Sequence, residues 1–233
     1  MRLAPSACRA ELDRAGATYT RVPASEAPQV RQPIRVTRLG GVRFLIPWTN
    51  DQQSDPHAIW DCRLAVAILP LARWLARHDV TEVHYFSVLR LGAMARSKPR
   101  SQHNVGLALD LLGLVTGVTN ADSGASGKDS TGRAGRDSDR LDVEDHFPRG
   151  EVAQCPWTSP SALSGPARLY ANLVCVAVEH RLVHTLLTPD HDHAHENHLH
   201  LDVKAGMAHP VDPYVSFAKR KRPKRKRPKR KRH

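Results

Sequence analysis

The chain is expected to fold as an α+β domain, because helix-period and strand-period patterns both occur along it. Residues 61–78 place Leu64, Val66, Leu69, Leu71, Leu75 and Ala76 on one broad apolar helical surface. Val83–Leu89 has the β-prone content of a strand. His198–Val203 alternates strictly, so a strand there puts His198, His200 and Asp202 on one face and Leu199, Leu201 and Val203 on the other.

The remaining elements follow in order. Residues 6–16 suit a short helix with Leu12 and neighbouring alanines on its apolar side. Within 32–48, Val36 and Val42–Ile46 fit short strands around the Gly40-Gly41 pair. Asp61 can cap the 61–78 helix, and Pro70 marks a kink or an early-helix position. Ser-Gln-His-Asn from Ser101 suits a turn, Gly106 permits close backbone packing, and Leu107–Leu114 reads as a buried strand interrupted by Asp110. Residues 117–142 are rich in Gly, Ser, Asp and Arg and read as an exposed insertion. Helical patterning resumes over 167–182, a strand follows at Val183–Leu187, and Pro189 breaks it.

A length of 233 residues suits one such domain plus extensions. The formal charge of +12 is an appendage, since 219–233 holds 12 of the 35 Lys and Arg and the rest balances at 23 basic against 23 acidic residues. A wholly nucleic-acid-binding domain usually spreads basic charge over its folded surface, and this body does not. The tail repeats KRKRP and is expected to be extended and disordered. Such a tail attracts anionic envelope polymers, lipid headgroups or nucleic acid without reading a base sequence. No run of about 20 apolar residues marks a transmembrane helix, and the N-terminus lacks the long apolar region of a conventional signal peptide. Cys8, Cys62, Cys155 and Cys175 allow three pairings if all are bridged; buried free thiols are the other reading, and export would favour disulfides. No CxxC pair occurs, which argues against a four-thiolate zinc site.

Asp110 is the most informative acid. A carboxylate inside an apolar run is costly unless it is paired, hydrogen-bonded or metal-bound. If a turn follows His103 and a strand carries Asp110, the two converge, and His200 approaches from the later strand. Two imidazoles and a carboxylate make a catalytic Zn²⁺ ligand set whose fourth position holds water. Set against this, a lone His near an Asp is ordinarily a hydrogen-bonding pair, and the histidines at 191, 193, 195, 198 and 200 could form an adventitious metal-binding tract.

SQHNVGLALD at 101–110 resembles the SxHxxGxAxD segment of zinc peptidoglycan peptidases. HENHLHLD at 195–202 resembles their second segment, in the HxxHxH form of the penicillin-insensitive murein endopeptidases. Over most of residues 5–205 the chain is similar to the extensin-like protein C-terminal domain family. The resemblance implies a compact zinc-peptidase domain with a central, mainly antiparallel sheet. It also implies zinc on His103, Asp110 and His200, catalytic histidines at His195 and His198, and peptidoglycan or muropeptides as partners in the periplasm or outer envelope. By this division 1–210 is the peptidase domain and 211–233 the disordered basic tail.

The chain departs from the pattern at Asn197, where related carboxypeptidases carry a glutamate; Glu196, one residue earlier, is not assigned as the principal base. Asp202 would support His200 only if a turn redirected it. Arg90, Arg96 and Arg100 could meet a peptide carboxylate, although solvation or ordinary salt bridges are the plainer role of each. His191 and His193 are alternative ligands if the loop bends differently. The SxxK spacing at Ser216–Lys219 is read as accidental. Two other functions compete with a peptidase: a catalytically weak cell-wall-binding protein, and a nucleic-acid-binding protein driven by the tail.

Overall fold

The computed structural model describes residues 5–117, 140–150, 155, 163–204 and 214–216. The order of elements is α1 (Pro5–Arg14), β1 (Thr18–Arg21), β2 (Pro33–Leu39), β3 (Val42–Leu45), β4 (Ile59–Asp61), α2 (Cys62–Ala76), β5 (Val80–Tyr85), α3 (Gly92–Ser97), β6 (Ala108–Thr116), β7 (Arg140–Asp142), α4 (Val143–His146), α5 (Gly165–Glu179), β8 (Thr185–Leu187), β9 (Leu199–Asp202) and β10 (Tyr214–Ser216). The strands form one sheet in the order β1-β2-β3-β5-β6-β9-β8-β10, with β4 on β2 and β7 on β6. The β3–β5 and β8–β10 pairs are parallel and the other pairings antiparallel, so the fold is α+β with a mainly antiparallel sheet.

Helix α2 starts where Asp61 accepts the Arg63 N–H (3.0 Å) and buries Leu64, Ile68, Leu71 and Leu75. Pro70 lies in its interior, on the exposed side. Residues of α1, α2 and α5 share one core with the apolar side of the sheet, including Leu109, Leu111, Leu199 and Leu201. Trp60 anchors one end, edge-on to Phe44 and Tyr85 at ring distances of 5.5 and 5.7 Å. Such pairs add about 0.5–1.5 kcal/mol each beyond area burial.

Disulfides join Cys8 to Cys62 and Cys155 to Cys175, which settles the cysteine alternatives. The first clamps α1 onto the first turn of α2 across 54 residues of sequence; by loop closure entropy it contributes about 4 kcal/mol. Two disulfides suggest an oxidising, extracellular-type environment. No helix among the described residues is long and apolar enough to cross a membrane.

Several boundaries differ from the sequence reading. The strand expected over Val83–Leu89 runs from Val80 to Tyr85, and Phe86–Leu89 leaves the ladder to wrap the site described below. Arg140–Asp142, placed in the insertion, pairs with β6 as β7. Tyr214–Ser216, assigned to the tail, pairs with β8 as β10, because Tyr214 and Val215 are β-prone and the β8 edge is open to them. The insertion's residues 118–139 and the basic run 219–233 lie outside the described residues.

Candidate metal centre

The site is built from one turn and two strands. Ser101 caps a 3-10 turn over Gln102–Val105, its Oγ accepting the His103 N–H at 3.3 Å. Gly106 closes that turn at φ 68°. A side chain there would be strained and would press within 2.9 Å of the Asp61 nitrogen, whose N–H donates to the Gly106 carbonyl (2.8 Å). The chain then enters β6, where Asp110 stands directly opposite His200 on β9. Their neighbours Leu109, Leu111, Leu199 and Leu201 face the core, so Asp110 and His200 project from the other side of the sheet.

Three donor atoms converge. Asp110 Oδ1 lies 3.1 Å from His103 Nε2 and 2.9 Å from His200 Nδ1, and the two ring nitrogens are 3.2 Å apart. The far side of each ring is held. His103 Nδ1 donates to the Val88 carbonyl at 2.9 Å, and His200 Nε2 lies 3.3 Å from Asp202 Oδ2. These contacts turn Nε2 of His103 and Nδ1 of His200 inward, as a metal requires. Asp110 Oδ2 receives Arg90 and, at 3.4 Å, the Ser87 hydroxyl, leaving Oδ1 to the imidazoles.

The donor set suits a divalent ion. Ligand atoms about 2.0–2.1 Å from a tetrahedral zinc stand roughly 3.3 Å apart, so the observed triangle needs to open by only a few tenths of an ångström. His103, Asp110 and His200 are all buried, at 0, 1 and 9 % exposure, which makes an unpaired carboxylate untenable there. Burial alone would raise the Asp110 pKa; His103 and His200 beside it hold it well below the usual carboxylate range. Burial pushes His103 down, against the pull of Asp110. Burial also works against charge on His200, but hydrogen bonds to Asp110 and Asp202 prevail and raise it to about 9.

The structure brings some of the other candidate residues to this triangle and leaves others outside it. His198 precedes β9 and brings Nε2 to 3.4 Å from Asp110 Oδ1, with Nδ1 donating to Asn197 Oδ1 at 2.9 Å. Burial, with help from His195 and His200, lowers its pKa to about 4, so the ring is neutral. His195 lies beside both rings, 5.1 Å from His198 and 5.9 Å from His200 between centroids. Burial lowers its pKa as well. Glu196 turns outward and pairs with exposed His193, so neither joins the centre. Arg90 is committed to Asp110, and Arg96 and Arg100 are exposed. Asp202 reaches His200 along the strand, without the turn the sequence reading required, because residues two apart share a face and Ala108 opposite leaves room.

Two supporting side chains escape the sequence reading, besides the Val88 carbonyl. Ser87 lies just past the end of β5, where the composition predicts continuous strand. Asp192 accepts from His195 Nδ1 at 2.6 Å and caps the turn His193–His195 through the Ala194 N–H (3.1 Å). The available signal was an acid three residues before a histidine, a common spacing for capping a turn. Among the described residues a second group, His191, Asp192 and His195, also places ligand atoms within 4.8 Å of one another. No family model, curated protein or solved structure matches this chain.

Proposed function

We propose that this chain is a zinc-dependent peptidoglycan peptidase of the bacterial periplasm or outer envelope, hydrolysing an amide bond in a stem peptide or crosslink. The motifs at 101–110 and 195–202 suggest the substrate class. The observation that carries the reading is the convergence of His103 Nε2, Asp110 Oδ1 and His200 Nδ1, each oriented by a further partner. Zinc bound there supplies Lewis-acid activation of water and of the scissile carbonyl.

The chain's own residues supply the rest. Arg90 and Ser87 keep Asp110 turned so that one oxygen faces the ion. His198, neutral and with Nε2 facing the site, accepts a proton from the attacking water. His195, steadied by Asp192, lies close enough to share that duty. The proton is returned to the leaving nitrogen as the C–N bond breaks, so the pair of rings ends as it began. The two disulfides accord with export, and the basic run at 219–233 suits attachment to anionic wall polymers.

The test is a metal measurement coupled to mass spectrometry of purified muropeptides incubated with the full chain. The expected result is about one tightly held zinc and a zinc-dependent gain of water across one amide bond. Asp110→Ala and His200→Ala should lose both. Undiminished hydrolysis by metal-free forms of both variants would refute the mechanism.

A further inference from the structure

A second set of donors lies beside the centre. His191, Asp192 and His195 occupy one short stretch, and their ligand atoms lie within 4.8 Å of one another. Asp192 Oδ1 is 2.6 Å from His195 Nδ1, and Asp192 Oδ2 is 3.7 Å from His191 Nε2. The rings of His191 and His195 meet edge-on at 5.2 Å. The stretch has a fixed shape, because the His191 N–H donates to the Thr188 carbonyl (2.9 Å) and the His195 N–H to that of Asp192 (3.0 Å). The side chains are 22, 27 and 14 % exposed, so an ion can reach them and retain water.

We infer that His191, Asp192 and His195 form a second, weaker divalent-metal site, and that filling it slows hydrolysis by capturing His195. Two imidazoles and a carboxylate again suit zinc. Weaker binding follows because the donors are partly exposed and unevenly spaced, at 2.6 and 3.7 Å, so the triangle must rearrange further around an ion than the buried one does. An ion between Asp192 Oδ1 and His195 Nδ1 leaves the ring's single proton on Nε2. His195 can then no longer accept one. The inhibitory half rests on the peptidase reading; the binding half does not.

The experiment uses the full chain without a polyhistidine tag, stripped of metal and dialysed against graded zinc. Bound zinc is counted beside hydrolysis of muropeptides. The native chain should bind the second ion at least about tenfold more weakly than the first, the lower end of what imperfectly oriented ligands cost. His191→Ala should lose one equivalent and keep the tight one; Asp110→Ala should lose the tight one and keep the weak one. Native hydrolysis should fall about tenfold as the weak site fills, less than for loss of an unshared acid–base group, and His191→Ala should keep its activity at the same zinc. If His191→Ala binds as many ions as the native chain, the second site is overturned. If native activity is unchanged on filling, the inhibitory half is overturned. If no form hydrolyses muropeptides at any zinc level, the peptidase reading fails and so does the inhibitory half, while the dialysis counts still decide the site.

Discussion

The two histidine clusters differ in how far their donors must travel to meet. His103, Asp110 and His200 come from a turn and two strands, the outermost pair 97 residues apart, and are buried. His191, Asp192 and His195 come from one stretch of five residues and are half-buried. The first set exists only when β6, β9 and the segment after β5 have assembled. Binding there is therefore linked to folding of the whole sheet, whereas the second set needs only its own turn.

Breaking the first set without the second should have the largest effect. Asp110→Ala removes a ligand and leaves Arg90 without its carboxylate. Its loss of tight metal binding should exceed the about 10–100-fold typical of losing an outer partner, with weak binding retained, as read by equilibrium dialysis. Asp202→Ala removes only the outer support of His200. It should weaken the tight site about 10–100-fold by the same assay.

Proton competition sharpens the contrast. Metal-free His200 keeps its proton up to about pH 9, and the ion must displace it. Apparent affinity of the tight site should thus rise about tenfold per unit from pH 7 towards 9 in a competition assay with a chelator. His195 is pushed below its ordinary value, so the turn should show no such rise on its account. The sign for stability is opposite. Folded His200 binds its proton more tightly than the unfolded chain, so this contribution is full below the ordinary value of 6.5 and fades as pH rises through about 9. The melting temperature of the metal-free protein should fall across that window, and that of the loaded protein should fall less.

The smallest effect expected on the ion itself comes from Gly106→Ala. The left-handed backbone and the close Asp61 nitrogen should cost about 1–3 kcal/mol of stability, measured by denaturant unfolding. The tight site should weaken only a few-fold if the turn relaxes, and the 191–195 turn should not respond.

Legibility in the sequence followed the same division. Asp110 could be found because a carboxylate within an apolar run demands a partner, and His200 because strict alternation fixes its face. Gly106 announced the close approach that it makes to Asp61. What could not be read was contact made by departure from regular structure. Ser87 and Val88 serve the site because the backbone leaves the ladder after Tyr85, and local composition does not say where a strand stops. The pairing of the cysteines was similarly closed to spacing alone, since it depends on which segments meet. The Asp202–His200 contact is not legible either, because strand geometry gives neighbours two apart a shared face without saying whether they touch.

The segment after β5 fastens both early ligands with its main chain. The Phe86 N–H donates to the Asp110 carbonyl (2.8 Å), the Ser87 carbonyl accepts the Asp110 N–H (3.2 Å), and the Arg90 N–H donates to the His103 carbonyl (3.0 Å). Peeling away these few residues would release a carboxylate and an imidazole in one motion. Amide protons at 86, 90 and 110 should therefore trade with solvent deuterium as a single cooperative unit, slowed together when an ion is held.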